Sequence, residues 1–385
     1  MMIRLSAKDN AALSAMTHEE PLIAKITVNP NLPNGLRSQS VLIIHEPAAI
    51  PDGFGLVLLA FDGEIANAPV NTVRLSNDIR YLKENDVIKF YPAGCKINVL
   101  YRKEANVNTF LLTERCNSFC IMCSQPPRDI DDSYLVDDIL EALPLIHPET
   151  PEIGFSGGET TLIGYDSFTR LIQAAKNHLP NTSLHILSNG RNFNNLDLAI
   201  KVSRVQHQDL MIGIPLYADY SQLHDFIVQA DGAFDETIRG ILNLKRCQVP
   251  VEIRVVIHQE NYHRLPRLAE FITRNLLFVD HVALMGLEMI GFAKSNQQAL
   301  WIDPYDYRHE LQDAVETMAK AGMKVSIYNT PFCVVPEAIR CHAVKSISDW
   351  KNDYLDECSK CSAKHQCGGF FSWNLSKPSL HIQPL

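Results

Sequence analysis

Short apolar runs alternate with helical patterns from about residue 106 to residue 290, and this alternation limits the possible folds more than any other feature of the chain. The runs read NTFLLT, EIGFSGG, SLHIL, LMIGIPL, VEIRVVI and HVALMGL. Strand–helix alternation at this spacing predicts parallel strands joined by right-handed crossovers. Six such units favour an α/β fold with a partial (β/α)6 barrel over a closed eight-stranded barrel.

Several segments place apolar residues on one helical face, which predicts amphipathic helices. The four faces are Phe168, Leu171, Ile172, Ala175 and Leu179; Phe234, Ile238, Ile241 and Leu242; Leu265, Leu268, Ile272 and Leu276; and Tyr307, Leu311, Ala314, Val315 and Met318. Asp166 or Ser167 is expected to cap the first helix, and Gly322 to end the last one. Pro266 must lie in a first turn, where its missing N–H costs little.

The regions on either side of this pattern differ from it. Residues 1–105 read as a β-rich N-terminal domain, a small sheet or barrel, with the strand candidates VLIIHEP, GLVLLAFDG, VIKFYPAG and KINVLYR. Short helices are possible over Ala11–His18 and Asn77–Asn85. Residues 106–300 form the predicted barrel. Residues 301–385 begin with a helix and the strand KVSIY and then become a small, loop-rich extension with many cysteines.

Composition disfavours several classes of function. The chain has 35 Lys and Arg against 44 Asp and Glu, a net charge of −9, and lacks a basic tract, which disfavours tight binding to nucleic acid. Because no apolar run is long enough to span a membrane and the N-terminus lacks a signal-peptide core, we expect a cytoplasmic protein. In that compartment clustered cysteines are expected to bind metal or to react, and not to form disulfides.

Three cysteines, Cys116, Cys120 and Cys123, directly follow the first strand of the predicted barrel. We call them the first cysteine group. Such a loop can bring three thiolates to one four-iron cluster and leave one iron open, whereas clusters that only transfer electrons are closed by four cysteines. The carboxyl end of a barrel strand is also where βα-barrel sites are built. A zinc site is the alternative, although zinc usually takes four ligands and the sequence nearby offers no fourth Cys or His.

Cys-x3-Cys-x2-Cys after a strand, with Asn117 following the first cysteine, resembles the signature of the radical S-adenosylmethionine (SAM) superfamily, although Met122 replaces its usual aromatic residue. The resemblance implies a 4Fe–4S cluster whose open iron is chelated by the amino and carboxylate groups of SAM. It also implies reductive cleavage of SAM to a 5′-deoxyadenosyl radical that abstracts hydrogen from a substrate. The cofactor supplies that chemistry, while the protein orients it and excludes water.

Further motifs at strand ends resemble the SAM-binding motifs of this superfamily. Gly157, Gly158 and Glu159 resemble its Gly-Gly-Glu motif, in which glycines allow close approach and the glutamate can pair with the ammonium of SAM. Asn189 could line the pocket or only cap a turn. Arg254 could reach the SAM carboxylate or form a salt bridge at its strand end. Leu284–Leu287 would lie near the adenine, although core packing explains these residues equally well. We assign no catalytic side chain.

A second cysteine group, Cys358, Cys361 and Cys367, is followed by two glycines and two phenylalanines. It resembles the SPASM or Twitch extension, which carries auxiliary Fe–S clusters in radical SAM enzymes. Together with Cys333 and Cys341, this region has five cysteines, which are too few for two such clusters. We therefore expect one cluster, taken as 4Fe–4S, with Cys333 as its fourth ligand and Cys341 as the competitor. A zinc knuckle using His365 or His342 is the alternative. Cys95 and Cys247 are read as ordinary buried thiols.

Residues from about 85 to 385 resemble one subfamily, the C-type radical SAM maturase of the His-Xaa-Ser system. The shared stretches are Asp86–Ile88, Leu100–Arg102, Leu112–Asn117, Met122–Pro127, Tyr328–Cys333, Ser346–Asn352 and the ending Cys-Gly-Gly-Phe-Phe. The resemblance implies modification of a ribosomally made precursor peptide with His-Xaa-Ser repeats. The expected partners are a second radical SAM maturase and an electron donor such as flavodoxin or ferredoxin. A radical SAM enzyme acting on a small metabolite or RNA, and a non-catalytic zinc-binding scaffold, are the competing hypotheses.

Overall fold

The computed structural model describes residues 3–6, 20–63, 65, 68–345 and 353–385. The chain divides into two compact units. The first contains Met1–Leu111, Ser133–Gly154 and Gln173–Ser183. The second contains Leu112–Asp132, Phe155–Ile172 and Leu184–Leu385, and it carries both cysteine groups.

The described N-terminal strands form a mixed sheet of seven strands with the order β1-β7-β6-β2-β3-β4-β5. The strands are β1 (Ile3–Ser6), β2 (Leu22–Thr27), β3 (Ser40–Ile44), β4 (Leu56–Leu59), β5 (Thr72–Arg74), β6 (Val87–Tyr91) and β7 (Lys96–Tyr101). The pairs β2–β3, β3–β4 and β4–β5 are parallel, whereas β6 pairs antiparallel with β2 and β7. The sheet is therefore open, with β1 and β5 at its edges, and the expected β-rich domain is confirmed as a sheet.

Asn77–Asn85 does not form the short helix considered from the sequence. A three-residue 3-10 helix, Asn77–Ile79, is followed by a turn in which Asn85 has φ +68°. The buried carboxylate of Asp86 accepts the N–H of Lys83 at 2.9 Å and that of Lys103 at 2.9 Å, so it stabilises a turn in place of a helix. Ala11–His18 lies outside the described residues.

The second sheet follows the chain in sequence order, from β8 at one edge to β14 at the other. Its strands are β8 (Val107–Leu111), β9 (Glu152–Ser156), β10 (Ser183–Leu187), β11 (Leu210–Pro215), β12 (Val251–Ile257), β13 (His281–Gly286) and β14 (Val325–Tyr328). The pairs from β10 to β14 are parallel. All six predicted strands are present, and KVSIY joins the same sheet as a seventh. The α/β fold with a partial barrel is confirmed.

Helices connect the strands, and all of the described helices except Asn34–Arg37 contain buried residues. The described helices are α1 (Asn34–Arg37), α2 (Tyr134–Ala142), α3 (Tyr165–His178), α4 (Leu196–Val205), α5 (Ser221–Val228), α6 (Ala233–Arg246), α7 (Leu265–Asn275), α8 (Phe292–Ser295), α9 (Gln297–Leu300) and α10 (Arg308–Lys320). The predicted apolar faces of α3, α7 and α10 are buried as expected. Among the described residues, no helix is both long and apolar enough to cross a membrane.

Two helix predictions were wrong in detail. In α6 the buried face is Ala233, Thr237, Gly240, Ile241 and Leu244, while Leu242 is 45% exposed. The backbone of the turn at Gly190 passes so close to α6 that a Cβ at Gly240 would lie 2.1 Å from the Gly190 carbonyl oxygen, so small residues face inward there. Helix α3 begins at Tyr165, directly after Gly164 with φ +94°, so Asp166 and Ser167 lie in its first turn and do not cap it.

Candidate functional site

The loop that carries the first cysteine group spans residues 112–132, and we call it the cysteine loop. Three backbone hydrogen bonds join it to the end of β9: Leu112 N to Ser156 O, Gly158 N to Thr113 O and Glu159 N to Arg115 O, each 2.8 Å. These bonds continue a strand-like pairing past the end of the strands. Cys116 therefore emerges at the carboxyl end of the sheet, directly beside the Gly-Gly-Glu motif.

Gly157 and Gly158 are required by this close backbone approach. A Cβ on Gly157 would lie 2.3 Å from the carbonyl oxygen of Thr113, and one on Gly158 would lie 2.1 Å from that of Arg115 and 3.1 Å from the Cβ of Cys116. No larger residue fits without moving the cysteine loop. The two glycines thus hold the motif against the loop, a role that sequence analysis did not assign to them.

The thiols of the first cysteine group lie close together in a protected site. Burial raises the pKa of Cys116 to about 11 and that of Cys120 to about 12, and the negative charges of neighbouring cysteine sulfurs add to both shifts. Burial also raises the pKa of Cys123. Buried thiolates that repel one another need a bound cation, so this donor set fits an iron–sulfur cluster. These are the three residues that sequence analysis grouped as the first cysteine group.

Asp132 stabilises the base of the cysteine loop, a contact that sequence analysis missed. Its buried carboxylate accepts the Thr113 hydroxyl at 3.0 Å and the backbone N–H of Glu114 at 2.5 Å. The Thr113 hydroxyl oxygen in turn accepts the N–H of Arg115 at 3.1 Å. These bonds fix the backbone just before Cys116 and leave its side chain free to project toward the other two thiols.

Glu159 is fully buried and is bound by the protein itself. One carboxylate oxygen accepts the N–H of Thr161 at 3.0 Å, its hydroxyl at 2.6 Å and the Ser188 hydroxyl at 2.8 Å. The other oxygen accepts the N–H of Asn189 at 2.6 Å. The carboxylate therefore joins the ends of β9 and β10, and its charge also raises the pKa of Cys116.

Asn189 and its neighbour Arg191 both contact the cysteine loop. The Asn189 side-chain amide donates to the side-chain oxygen of Asn117 at 2.5 Å. Arg191 donates to the carbonyl oxygen of Asn117 and, at 3.1 Å, to the Ser118 hydroxyl, while its Nε pairs with Glu236 at 2.6 Å. The turn after β10 thus stabilises the residues directly after Cys116. Sequence analysis singled out Asn189, but nothing in the sequence indicated Arg191.

Arg254 lies on the same side of the sheet as the first cysteine group and is paired with Glu252. Its Nη1 is 2.5 Å from Glu252 Oε1, and Nη2 is 3.3 Å from the sulfur of Met285. On the same face of β12, Val256 packs on the core that contains Met122 and Cys120. Arg254 therefore forms a salt bridge, which was the alternative to SAM binding in the sequence analysis. Its partner is Glu252, two residues earlier, which sequence analysis did not consider.

Glu252 also connects Arg254 to two histidines. His281 Nδ1 lies 2.6 Å from one carboxylate oxygen, His185 Nε2 lies 3.4 Å from the other, and His281 Nε2 reaches the Ser326 hydroxyl at 2.9 Å. Burial alone would raise the pKa of Glu252, but the hydrogen bonds from the histidines and the charge of Arg254 outweigh it and hold the pKa well below its ordinary value. A charged, polar row therefore crosses the face of the sheet that also carries Arg254.

The C-terminal cysteines gather separately. Cys367 Sγ accepts the N–H of Phe332, the residue before Cys333, at 3.3 Å. Burial raises the pKa values of Cys333 and Cys358, and the charge of Cys367 adds to both. The charge of Cys361 also raises the pKa of Cys358. Cys333 is thus placed with the second cysteine group, whereas Cys341 is exposed, which favours Cys333 as the fourth ligand.

The remaining cysteine and histidine predictions have simple outcomes. All ten cysteines are free thiols, with Cys95 buried and Cys247 half-buried. The Nδ1 atoms of His365 and His342 lie 3.1 Å from the backbone carbonyl oxygens of Ser362 and Val325. Across the described residues, no three His, Cys, Asp or Glu side chains converge as the ligands of one metal ion. In a cluster each thiolate binds its own iron, so four-iron sites do not require such a convergence.

Comparison with known proteins gives a family for the central part of the chain. Residues 110–272 match the model of the Radical SAM superfamily. This segment begins at the end of β8, includes the first cysteine group and the Gly-Gly-Glu motif, and ends in α7. No curated protein matches the chain significantly.

Several solved structures are similar to part of the chain. SuiB from Streptococcus suis, also solved bound to its precursor peptide SuiA, matches with 14% identity and a TM-score of 0.45 over 58% of this chain and 49% of its own. The protein anSMEcpe, with bound AdoMet and a Cp18Cys peptide, matches with 17% identity and a TM-score of 0.44 over 57% and 63%. HemN from Escherichia coli matches with 12% identity and a TM-score of 0.42 over 56% and 53%.

The matched part of this chain thus spans about half of the SuiB chain. The family match falls on the segment where three thiols, two tightly packed glycines and the ends of parallel strands meet. Residues 110–272 are therefore similar to the domain of the Radical SAM superfamily.

Proposed function

We propose that Cys116, Cys120 and Cys123 bind a 4Fe–4S cluster and that SAM binds beside it at the ends of the parallel strands. The observation that carries this proposal is the burial of three thiols, two of whose pKa values are raised further by the charges of neighbouring cysteines, within a segment matched by the superfamily model. When bound, the cluster supplies the electron that cleaves SAM and so generates a radical able to abstract hydrogen. The chain contributes three ligands and leaves the fourth position open.

The predicted SAM-contacting residues divide into two groups in this proposal. Gly157 and Gly158 offer backbone atoms to the methionine part of SAM, because the glycine backbone is exposed to close approach. Glu159 and Asn189 hold the strand ends and the cysteine loop in place through the bonds described above. Arg254 can engage the SAM carboxylate only in competition with Glu252, which already neutralises its charge.

For the second cysteine group we propose one auxiliary Fe–S cluster, taken as 4Fe–4S, held by Cys333, Cys358, Cys361 and Cys367. Four thiolates would close this cluster, so it would transfer electrons and would not bind SAM. The mutual influence of these cysteines on their pKa values supports the grouping. A SPASM- or Twitch-like extension would follow β14, after the N-terminal domain (1–105) and the barrel (106–300).

We propose a precursor peptide of the His-Xaa-Ser type as the substrate and hydrogen abstraction from that peptide as the first chemical step. The support is the sequence resemblance at Leu112–Asn117, Met122–Pro127 and the cysteine-rich tail. The resembling run Ser346–Asn352 lies outside the described residues. A second maturase and a flavodoxin or ferredoxin complete the proposed system in the cytoplasm. Residues 1–84 are proposed, from their location alone, to dock the leader of the peptide.

One set of assays separates this proposal from its competitors. Anaerobically purified protein is analysed for iron, sulfide and zinc and then assayed for 5′-deoxyadenosine with and without a His-Xaa-Ser precursor. Iron with sulfide, SAM cleavage and a mass change in the peptide would support the maturase. SAM cleavage with no peptide binding or mass change would point to a metabolite or RNA substrate. Zinc in place of iron would contradict the enzymatic proposal altogether.

A further inference from the structure

The segment after β13, residues 287–292, contacts both cysteine-bearing regions of the second unit, and we call it the connector. It begins directly at the end of β13, the strand end that the superfamily resemblance places near the adenine of SAM. Its two ends make different contacts. One end is held by a side chain from the C-terminal tail, and the other end is bonded to the cysteine loop.

Asn374, seven residues after Cys367, holds the first end of the connector. Its side-chain oxygen accepts the backbone N–H of Met289 at 2.9 Å, and its side-chain N–H donates to the carbonyl oxygen of Leu287 at 2.9 Å. One amide side chain thus satisfies a donor and an acceptor two residues apart, as a neighbouring strand would. The indole N–H of Trp373 adds a bond to Glu288 Oε1 at 3.2 Å.

The second end of the connector touches the cysteine loop directly. Phe292 N donates to the carbonyl oxygen of Cys123 at 2.8 Å. Gly291 has φ +59°, and a Cβ there would lie 2.5 Å from that same oxygen, so the two backbones are in close contact. Four residues further on, the Asn296 side chain donates to the carbonyl oxygen of Ile121 at 2.7 Å.

Apolar packing also joins the connector to the cysteine loop. Leu287 and Met289 share a buried core with Met122 and Tyr217, and Cys120 packs against that core. Both connector residues are at most 7% exposed. A shift of the Leu287–Met289 backbone would therefore be transmitted to the residues between Cys120 and Cys123, because packed interiors have little free volume to absorb it.

We propose that Asn374 is a positioning residue for SAM binding: it fixes the end of β13 and, through the connector, the loop that carries the first cysteine group. This inference rests on the proposed SAM site. The tail would then act on the SAM pocket through these contacts as well as through any auxiliary cluster. Removing the Asn374 amide leaves Leu287 O and Met289 N without those partners and loosens the connector, while all seven proposed cluster ligands stay in place.

The test uses the full chain loaded with its clusters. Asn374→Ala should retain the iron content of the wild type but bind SAM about tenfold more weakly in anaerobic equilibrium titration, because SAM binding must then also order the loosened strand end. The change that SAM causes in the EPR spectrum of the reduced cluster should require correspondingly more SAM. Ser376→Ala is the matched control, because that hydroxyl bonds inside the same tail, to Trp373 O at 3.1 Å, and its SAM affinity should be unchanged.

Asn374→Asp provides a second variant of the same shape, which keeps the acceptor for Met289 N and loses the donor to Leu287. It should fold if the alanine variant does not, and it should also weaken SAM binding several-fold. Wild-type SAM affinity in folded Asn374→Ala or Asn374→Asp protein would overturn the inference. If the wild type itself binds iron but not SAM, the proposed function fails, and that outcome is distinct from a defect confined to the variants.

Discussion

At the level of single residues, Glu159 shows that a motif residue can stabilise the fold. Its carboxylate accepts four hydrogen bonds from three residues at the ends of two strands, and it is fully buried. A buried carboxylate so completely bonded has little capacity left for a ligand. The motif would then reach SAM through its backbone, while the side chain keeps the strand ends together.

Substitution of Glu159 should therefore cost stability as well as activity. Glu159→Ala leaves four buried or half-buried donors without their acceptor, and we expect a loss of about 3 kcal/mol in the free energy of unfolding. Denaturant titration of the apo protein measures this loss. The exposed Glu46→Ala provides the control and should change stability little. An equally small effect of Glu159→Ala would mean that its bonds contribute little.

Because His258 is buried, we expect the stability of the protein to depend on pH. Burial lowers its pKa to about 3, and within the described residues its Nε2 has no hydrogen-bond partner. In the unfolded chain this histidine binds a proton near pH 6.5, whereas in the folded chain it stays neutral. Its contribution to the free energy of unfolding is therefore fully present above pH 6.5 and is lost as the pH falls toward 3. Between pH 7 and pH 5 the loss should be about 2 kcal/mol.

The measurement compares this loss of stability in the wild type and in His258→Gln, which retains an acceptor for the N–H of Glu260. The variant should lose about 2 kcal/mol less than the wild type between pH 7 and pH 5. His309→Gln, at an exposed position, should behave as the wild type does. Equal losses in His258→Gln and wild type would show that His258 is protonated in the folded state at pH 5.

Sequence analysis singled out the proposed ligands of the site more readily than the residues that support them. Cys116, Cys120 and Cys123 are recognisable because their spacing alone limits what they can bind. Asp132, Arg191 and Asn374 act through hydrogen bonds to distant segments, and each has a backbone atom among its partners. Such contacts depend on where the chain folds back, and an isolated polar residue in a loop gives no periodic or spacing signal for them.

At the level of elements, the junction between β9 and the cysteine loop sets the position of Cys116. Gly158→Ala would place a methyl group 2.1 Å from the carbonyl oxygen of Arg115, so the loop must move or the strand end must open. We expect at least a severalfold loss of iron in the first cluster, measured as iron per chain after reconstitution. Gly35→Ala, where a Cβ meets nothing within 4 Å, should retain full iron content. Full iron content in Gly158→Ala would contradict this role of the junction.

Most strands of the parallel sheet were predictable because their apolar runs are nearly continuous, and most residues of β9, β11, β12 and β13 are buried. Helix faces were less predictable. Leu242 fits an apolar stripe on α6, yet it is exposed, because the close approach at Gly240 rotates the small-residue face inward. The strands β2 and β5 and the helices α2, α4 and α5 were not predicted, although the buried residues of α2 and α4 recur at helical spacing.

At the level of the whole molecule, two cysteine groups lie in one compact unit. If they hold separate clusters, removing one auxiliary ligand should remove only part of the metal. Cys361→Ser is expected to lower iron from about eight to about four per chain and to retain SAM cleavage. Iron analysis and the 5′-deoxyadenosine assay on the same sample measure both effects. Complete loss of SAM cleavage in folded Cys361→Ser would refute the separation.

The central claim is that the first cysteine group leaves one iron open for SAM. Its most direct test is EPR of the reduced Cys361→Ser protein, in which only the first cluster should remain, recorded before and after SAM is added. Coordination of SAM to that iron predicts a changed spectrum, together with 5′-deoxyadenosine that disappears in Cys116→Ala. A 4Fe–4S spectrum that SAM leaves unchanged, or zinc at this site, would contradict the claim.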